Sequence, residues 1–599
     1  MNSNRRMSST RLKEKPKDVK YVLRRLWDYM YYYKWWLLLA LVLTILSNLF
    51  ALIGPVLSGH IVDDIKCLVV GEANKEVIKD IFTFASMMLG FYILSSVFSY
   101  ILAIIMMKMS KKIVFKMRAD TFSQLMKLPI SFFDSYQTGD IISRMSYDID
   151  TINTSLSSDL IQICTSFITI VGSLVMMIVL SPLLVLVFAI TIPISLLFTR
   201  FMLKHTQKMF RARSRTLGEL NGFSEEMITG IKPIKAYATK GKVLDNFDEY
   251  NTKAAEAAYK AEFYGSITGP GVNFVNNLSL SLVCMFGSIL LLSNPSFTIG
   301  NLASFVQYSR RFSGPINEIA NIFVDIQSAL AAGERVFKLI DAAPELKDKE
   351  DAISLKDVNG DVKFSHVKFG YNPDRTIIHD LSFEALAGKT IAIVGPTGAG
   401  KTTIVNLLMR FYDIWDGNIT LDDVNITDIK RDSLRKSYAM VLQDTWLFQG
   451  SVYENIKYGK DDANIDDVIK ACKAARVDGF VTRLKEGYDT VLVEGGINIS
   501  KGQKQLLTIA RAMLLDANML ILDEATSNVD TSTEVKIQEA MKDLMVGKTC
   551  FIIAHRLSTI KNADLILVVN DGEIVEMGRH TDLLQKGGFY HQLYYSQFE

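Results

Sequence analysis

The glycine-rich segment Gly395–Thr403 has the residue types and the spacing of a phosphate-binding loop. The apolar run Thr390–Val394 before it predicts a buried parallel strand, and Ile404–Leu408 after it predicts a helix. Glycines let backbone N–H groups turn toward phosphate oxygens, and the positive end of the following helix favours the same anion. We therefore predict a nucleoside triphosphate site here rather than an ordinary glycine-rich turn.

Two side chains of this loop have the chemistry for separate tasks. The Lys401 ammonium is expected to reach the β- and γ-phosphates, and the Thr402 hydroxyl is expected to bind Mg²⁺. The other loop residues that we expect to contact ATP are Gly395, Pro396, Thr397, Gly398, Ala399, Gly400 and Thr403.

A second candidate motif, Met519–Glu524, predicts a buried strand that ends in two carboxylates. Ligands of open α/β sheets bind at the carboxyl ends of parallel strands. Asp523 is placed to bind Mg²⁺, either directly or through one of its ligands. Glu524 is placed to act as the base that polarises water for attack on the γ-phosphate. An acidic helix cap is the alternative interpretation, and the phosphate loop upstream favours the catalytic one.

The elements that must position these residues belong to a long, apolar chain. Of its 599 residues, 49% are hydrophobic. Its net charge is only +2, so the chain lacks the overall positive charge that would indicate nucleic-acid binding. The five cysteines lack metal-like spacing, so we predict reduced packing residues.

Six apolar runs in the first 330 residues predict membrane-spanning helices rather than six buried core helices. They are Trp35–Leu57, Phe82–Met107, Leu160–Leu180, Leu183–Thr199, Tyr264–Leu292 and the more charged Ile299–Ile326, with a tight turn at Ser181-Pro182. Lysines and arginines follow the second and fourth runs, which places these connections, both termini and the second half of the chain in the cytoplasm of a cell-membrane protein. The aromatic, amphipathic stretch Tyr21–Tyr33 predicts an elbow helix on the membrane surface.

The two long connections, about 108–158 and 200–263, predict helical hairpins that project about 35 Å beyond the membrane. We place their tips at Gln137–Asp140 and Thr229–Pro233, either as solvated turns or as helices that dock on another domain. The predicted organisation is a tail and elbow helix at 1–34, a membrane domain at 35–330, a linker at 331–353 and an α/β nucleotide-binding domain at 354–599.

Taken in order, these motifs resemble the ATP-binding cassette (ABC) transporters of the exporter type, from the elbow helix to Glu599. The resemblance implies that Tyr371 stacks on adenine and that Gln443 links Mg²⁺ and the attacking water to the membrane helices. It also implies that Asp530 lies in a loop that crosses a dimer interface and that His555 contacts the γ-phosphate. The hairpin tips resemble coupling helices, one on its own nucleotide domain and one on the partner's.

One motif departs from the family pattern. The signature Leu-Ser-Gly-Gly-Gln is Ile499–Gln503 here, with Ser500, Gly502 and Gln503 kept and Lys501 in place of a glycine. Lys501 either crowds ATP on the opposite subunit, adds a cation near its phosphates, or is harmless. Because the other motifs are intact, the chain resembles the competent half of a bacterial heterodimeric multidrug-type exporter, and we expect its partner to have an intact signature and an impaired catalytic glutamate.

Arg310 and Arg311 lie within the sixth apolar run, where charges are expensive and usually face a wet cavity or a partner. We expect them to line the translocation path or to pair with partner carboxylates, or else to form an ion pair with Glu318 or Asp325.

The predicted function is ATP-driven export of a hydrophobic or amphipathic drug, lipid or peptide by alternating access. The predicted cofactors are ATP and Mg²⁺. The alternative is a channel or sensor gated by the cassette. A soluble cassette ATPase is excluded by the six apolar runs.

Overall fold

In the computed structural model, the backbone is described for residues 18–70, 75–442, 445–496, 498–523, 529–554 and 560–598. The side chains of residues 196, 203, 268, 316, 317, 320, 321, 494, 597 and 598 lie outside this description. The chain separates into two compact units. The first comprises Met1–Met126 and Thr138–Ala342, and the second comprises Lys127–Gln137 and Ala343–Glu599.

The first unit is helical throughout its described part. Its helices are α1 Val19–Tyr31, α2 Lys34–Val69, α3 Lys75–Leu125, α5 Thr138–Ser143, α6 Ile149–Thr154, α7 Leu160–Leu180, α8 Pro182–Thr229, α9 Ile231–Ala236, α10 Lys240–Ser293 and α11 Ile299–Ile340, while α4 Ile130–Ser135 belongs to the second unit. Two π-helical turns, Arg144–Asp148 and Ser155–Asp159, join α5, α6 and α7 into one continuous helix. Ser181 caps α8 and Pro182 occupies its first turn, so the predicted tight turn is confirmed.

The fold class predicted for the first half is confirmed, but the number of spans is not. Within the described ranges, five continuous helices are long and apolar enough to cross a membrane, namely those that cover 34–69, 75–125, 138–180, 182–229 and 240–293. The helix α11 is not one of them, because charged residues interrupt its apolar run. Six spans therefore remain a prediction.

A series of polar contacts joins α11 to α2. At one end, the Asp63 carboxylate accepts hydrogen bonds from the Thr298 hydroxyl at 2.7 Å and from the Gly300 N–H at 2.8 Å. Further along, the Ser304 hydroxyl donates to the Pro55 carbonyl oxygen at 2.8 Å. The two helices therefore run antiparallel and side by side, with their residues in a fixed register.

A further contact between α11 and α2 explains why Arg311, one of the two arginines of α11, is charged at this position. Pro55 lies inside α2 and has no N–H, so the carbonyl of Ala51, four residues earlier, loses its helical donor. Arg311 Nη1 donates to this Ala51 oxygen at 2.8 Å. Glu318 instead accepts from Gln162. The described residues contain no ion pair of Arg310 or Arg311 with Glu318 or Asp325, so that alternative is wrong; the Arg311 guanidinium instead replaces the donor that proline removed.

The second unit is built on a ten-stranded sheet in its described part, with strand order β5-β4-β1-β2-β12-β11-β3-β10-β9-β6. The strands are β1 Val362–Phe369, β2 Ile378–Ala385, β3 Thr390–Val394, β4 Asp416–Leu421, β5 Val424–Asn425, β6 Tyr438–Val441, β9 Met519–Asp523, β10 Thr549–Ile553, β11 Leu565–Asn570 and β12 Glu573–Gly578, with a separate pair of β7 Gly450–Ser451 and β8 Val491–Leu492. Neighbours among β11, β3, β10, β9 and β6 are parallel, while β1, β2, β4 and β5 form an antiparallel part.

Helices accompany this sheet in sequence. They are α12 Lys401–Leu408, α13 Arg431–Lys436, α14 Val452–Lys457, α15 Ile465–Ala474, α16 Asp478–Val481, α17 Lys501–Leu515, α18 Thr531–Met545, α19 His580–Lys586 and α20 Phe589–Phe598, with 3₁₀ turns at Ile426–Asp428, Gly487–Asp489 and Glu494–Gly496. The residues of β3, β9 and β10 divide between two buried apolar clusters. Burial on both faces explains why these strands are continuous apolar runs in the sequence.

The tip of the first helical hairpin is earlier in the chain than predicted. The chain turns through α4, at Ile130–Ser135, and α5 has already begun at Thr138. Pro129 precedes α4 and stops the chain from continuing as a helix from α3. The polar break at Gln137 is the exit from this short helix. The second tip, Thr229–Pro233, contains the end of α8 and the start of α9, as predicted.

Candidate nucleotide-binding site

The glycine-rich loop connects β3 to α12, as predicted from the sequence. Gly400 precedes α12 with a φ of 106°, a left-handed conformation that favours glycine. A Cβ atom on Gly395 would lie 2.1 Å from the Val569 carbonyl oxygen of β11, so no larger residue fits there. These constraints bring the loop backbone onto the carboxyl ends of the parallel strands, next to the start of a helix, where anions bind.

The Lys401 ammonium is held inside the loop. It donates to the carbonyl oxygens of Gly395 at 2.8 Å and Pro396 at 3.0 Å. Burial lowers the pKa of Lys401, and the negative charge of Asp523 acts in the opposite direction. Both hydrogen-bond acceptors are neutral carbonyls, so a phosphate oxygen would give this half-buried cation the counter-charge that they do not supply.

Two predicted Mg²⁺ partners belong to this loop and to β9, which is separated from β3 by β10 in the sheet. Thr402 is exposed in the first turn of α12, and Asp523 is the last residue of β9. A hydroxyl and a carboxylate are hard oxygen donors that fit Mg²⁺, which commonly completes its shell with phosphates and water. No cluster of three histidine, cysteine or acidic side chains that could hold a metal exists among the described residues. Thr402 and Asp523 therefore supply oxygen donors that fit an ion also bound by phosphate oxygens.

The predicted adenine platform, Tyr371, is fixed by the phosphate-loop helix. Its hydroxyl donates to Thr403 Oγ1 at 3.2 Å and accepts from Asn406 Nδ2 at 3.1 Å. The side chain remains 42% exposed, so one ring face is free of the core. Asn406 was not among the residues predicted from the sequence, although its position one turn after Thr403 on α12 is a local signal that could have identified it.

Tyr412, also missed, connects this platform to α4. Its ring packs edge-to-face against Tyr371, with ring centroids 5.0 Å apart. Its hydroxyl donates to the Asp134 carboxylate of α4. Burial, together with this bond to a carboxylate, raises the pKa of Tyr412 above its ordinary value. No local sequence signal could have revealed a contact between residues 278 positions apart.

The altered signature begins α17 with a regular cap. Ser500 Oγ accepts from the Gln503 N–H at 3.3 Å, and the Gln503 side chain accepts from the Ser500 N–H at 2.9 Å. A Cβ atom on Gly502 would lie 2.5 Å from Thr533 Cγ2 of α18, so packing requires this glycine. The Lys501 side chain is exposed, so the substitution does not disturb the core of this domain.

Asp530 caps α18, which packs against the signature helix. Its carboxylate accepts from the Ser532 hydroxyl at 2.7 Å and from the Thr533 N–H at 2.9 Å. These hydrogen bonds stabilise the ionised form and lower the pKa of Asp530 to about 2. The residue is therefore charged at any physiological pH, and the cap explains its position in the sequence without reference to a partner.

Three predicted catalytic residues, Gln443, Glu524 and His555, lie outside the described residues. The strands that precede them are described and are neighbours in the sheet. Val441 of β6 pairs with Leu522 of β9, and Asp523 of β9 pairs with Ile553 of β10. The three parallel strands therefore end side by side, next to the loop that follows β3.

Comparison with known families identifies both halves of the chain. Residues 37–316 match the family model described as ABC transporter transmembrane region. Residues 378–527 match the model described as ABC transporter. The two matched regions follow each other in the order expected for a permease fused to an ATP-binding domain.

Relatives and a solved structure cover nearly the whole chain. An uncharacterised ABC transporter ATP-binding protein of Bacillus subtilis (strain 168) is 41% identical over 585 residues, which are 98% of this chain and 96% of that protein. A fatty acid ABC transporter ATP-binding/permease protein of Mycobacterium tuberculosis is 44% identical over 483 residues, 81% of this chain and 76% of that protein. The structure of a bacterial Atm1-family ABC exporter with ATP bound superposes with a TM-score of 0.75 at 28% identity, and covers 94% of this chain and 98% of that one.

The phosphate-binding loop at the edge of a mixed sheet, the helical membrane unit before it and these full-length similarities lead to one identification. The chain belongs to the ATP-binding cassette transporter family, as an exporter half-transporter that fuses a membrane permease to an ATPase.

Proposed function

We propose that this chain is the catalytically competent half of a heterodimeric exporter in the cell membrane. Its termini and nucleotide-binding domain face the cytoplasm, and its cargo is an amphipathic molecule taken from the cytoplasm or the inner leaflet. The observation that carries the proposal is the half-buried Lys401 ammonium, whose described hydrogen bonds go to neutral loop carbonyls at the end of a parallel sheet. A triphosphate is the ligand that this arrangement fits best.

In the proposed mechanism, Lys401 and the loop N–H groups bind the β- and γ-phosphates while Tyr371 stacks on adenine. Glu524 orients a water molecule and accepts its proton as the water oxygen attacks the γ-phosphorus and the bond to ADP breaks. His555 contacts the γ-phosphate, and Gln443 connects the site to the membrane helices. When bound at Thr402, Gln443 and Asp523, Mg²⁺ would supply positive charge to the phosphate oxygens.

ATP binding is proposed to close two cassettes around two nucleotides, each between one loop and the other subunit's signature. Closure favours the outward-open state of the membrane domain, and hydrolysis releases it, which is a ligand-driven population shift. The contact from Tyr371 through Tyr412 to Asp134 supports this coupling, because it joins the adenine platform to the tip of a helical hairpin.

The proposal of a different second subunit rests on the signature. Ser500, Gly502 and Gln503 have the capping and packing expected of the motif, whereas Lys501 places an exposed cation where the family has glycine. If the partner supplies the intact signature to the ATP on this chain's loop, the competent site contains Glu524 from this chain. A fully active transporter purified from this chain alone would contradict the heterodimer.

The proposed cargo class follows from the relatives. The name of the 44% identical relative assigns it to fatty acids, which are amphipathic, and the first half of this chain is equally a membrane permease. We propose a lipid-like amphiphile as the cargo. ATP-dependent movement of such a molecule into inside-out vesicles tests this class, and movement of polar solutes only would contradict it.

The Glu524→Gln substitution tests the catalytic assignment, since it keeps shape and removes the base. We expect ATP affinity within about threefold of wild type and hydrolysis reduced at least about 100-fold, in the range for loss of general base catalysis. Asp543→Asn, a change of the same chemical type on the exposed side of α18, is the control and should leave both quantities unchanged. Hydrolysis at an undiminished rate in Glu524→Gln would refute the role of Glu524.

A further inference from the structure

Two adjacent arginines of α11 have different surroundings, and only one of them is explained by the fold. Arg311 supplies the hydrogen bond that Pro55 removes from α2, through its contact with Ala51. Arg310 is exposed, and it forms no hydrogen bond or ion pair with any residue that the structure describes. The Arg310 charge therefore does not stabilise the fold through any described residue.

The register with α2 places Arg310 deep in the membrane. Asp63 binds the start of α11 near one end of α2, and Arg311 contacts Ala51, near the middle of that helix. Because a helix rises 1.5 Å per residue, Arg310 lies about 18 Å along α11 from Thr298, roughly half of a 30 Å hydrocarbon core. Since α2 is long and apolar enough to span the bilayer, α11 passes through the same depth beside it.

The exposed side of α11 is polar at this depth. Arg310, Gly314 and Glu318 follow each other at four-residue intervals, so they share one face, and all three are exposed. The opposite side is buried through Phe305, Tyr308 and Phe312. An ionisable residue at membrane depth usually faces a water-filled cavity or a bundle interior rather than lipid. We therefore assign this polar face of α11 to the cavity of the transporter.

The surface beside Arg310 is open, and the charge of Arg310 is not neutralised by a neighbouring carboxylate. Apart from its chain neighbours and the nearby backbone of α11, no described atom lies within 4 Å of the position that a Cβ on Gly314 would take, so the surface one turn from Arg310 is unobstructed. The nearest carboxylate along the same face, Glu318, is about 12 Å away along the helix and accepts a hydrogen bond from Gln162. Among the described residues, none neutralises the Arg310 guanidinium.

We propose that Arg310 binds the anionic headgroup of the exporter's amphipathic cargo. A guanidinium presents a rigid fork of N–H donors that matches the two oxygens of a carboxylate or a phosphate, and it stays charged at any relevant pH. In a site shielded from bulk water this pairing is stronger than at a protein surface. The cargo class narrows from amphiphiles in general to anionic ones, and this inference rests on the proposed export function.

Equilibrium binding without nucleotide tests the inference independently of transport. The assembled transporter, purified with its partner subunit, is titrated with dodecanoate and its methyl ester, and with lysophosphatidylglycerol and lysophosphatidylcholine of equal chain length. The first pair presents a carboxylate and the second a phosphate, each against a ligand without net negative charge. In wild type, the anionic member of at least one pair should bind more tightly, and the pair that shows the preference identifies the headgroup.

Three substitutions separate specificity from structure. Arg310→Gln should weaken binding of the preferred anionic ligand at least about tenfold, the loss expected for one charge-assisted hydrogen bond, and change the neutral ligand less than about twofold. Arg310→Lys keeps the charge without the fork and should restore part of the affinity. Arg311→Gln, the matched control, should lower the yield of folded protein without altering the ratio of anionic to neutral affinity.

Two results would overturn the assignment of Arg310. One is an anionic affinity that is unchanged in Arg310→Gln. The other is an equal loss for both members of each pair, which would indicate a carboxylate of the partner subunit as the true contact. ATP-driven movement of the same probes in proteoliposomes is measured separately. If wild type binds anionic probes through Arg310 but does not transport them with ATP, the result contradicts the proposed export function and still supports the binding site at Arg310.

Discussion

The hydrogen bond from Arg311 to Ala51 predicts a specific non-additivity between two substitutions. Arg311→Met keeps an unbranched apolar stem and removes the donor, so the Ala51 carbonyl loses its bond while Pro55 still offers no N–H. In hydrocarbon, water does not replace that bond. Pro55→Ala supplies an N–H to the same carbonyl from within α2. Arg311→Met should therefore destabilise the Pro55→Ala protein less than it destabilises the wild type.

The size of this difference can be bounded. Hydrogen bonds to charged groups contribute about 1.5–3 kcal/mol in soluble proteins. Interactions between membrane helices measured by double-mutant cycles average about 0.6 kcal/mol and reach about 1.7 kcal/mol. The Arg311 donor is charged and lies 2.8 Å from the oxygen, so we expect a coupling free energy of about 1.5 kcal/mol, near the upper membrane value. At roughly 2 °C per kcal/mol for a large unit, this corresponds to about 3 °C in unfolding midpoint.

The assay compares four proteins in one detergent: wild type, Arg311→Met, Pro55→Ala and the double variant. The midpoint of thermal unfolding, followed by tryptophan fluorescence, gives the coupling as the difference between the two Arg311 effects. Arg310→Met is the matched control, because Arg310 is exposed, and its midpoint should stay within about 1 °C of wild type. An equal loss from Arg311→Met in both backgrounds would refute the pairing of Arg311 with the proline-freed carbonyl.

Three further predictions concern the second unit. Lys401→Ala should weaken ATP binding about 10- to 150-fold, equivalent to 1.5–3 kcal/mol, in a titration with fluorescent nucleotide, and unchanged affinity would contradict its phosphate contact. Gly502→Ala should lower the free energy of unfolding by about 1–3 kcal/mol through contact with Thr533, whereas Gly479→Ala, where space is open, should not; equal midpoints would contradict the packing argument. Asp530→Ala should lower the free energy of unfolding at neutral pH, because α18 loses its cap. Because the folded pKa of Asp530 is depressed from 3.8 to about 2, this difference should shrink as pH falls through that interval, and a pH-independent difference would contradict the cap.

The features that the sequence predicted correctly depend on neighbouring residues. The phosphate loop between β3 and α12 is defined by an apolar run, glycines at turn positions and helix-forming residues within about 20 positions. The start of α8 at Pro182 follows from the capping preferences of serine and proline. Such patterns depend on local backbone sterics and hydrogen bonding, so tertiary contacts do not need to be known in advance.

The predictions that failed or stayed incomplete concern contacts between distant segments. The first hairpin tip was placed at Gln137, one short helix too late, because polarity alone does not distinguish α4 from the turn that follows it. Tyr412 was missed because its partners, Tyr371 and Asp134, come together only in the folded second unit. Asn406 was overlooked despite its local spacing to Thr403.

The two adjacent arginines show most clearly what the sequence determines and what only the tertiary structure determines. The sequence alone determined that two cations lie in an apolar run, and hence that both need an explanation. It could not assign them different surroundings, because Arg310 and Arg311 are chemically identical neighbours. Successive residues of a helix point about 100° apart, so one guanidinium meets α2 and the other meets open space. The proline that gives Arg311 its partner lies on another helix, and only the packing of α11 against α2 brings that freed carbonyl within 2.8 Å.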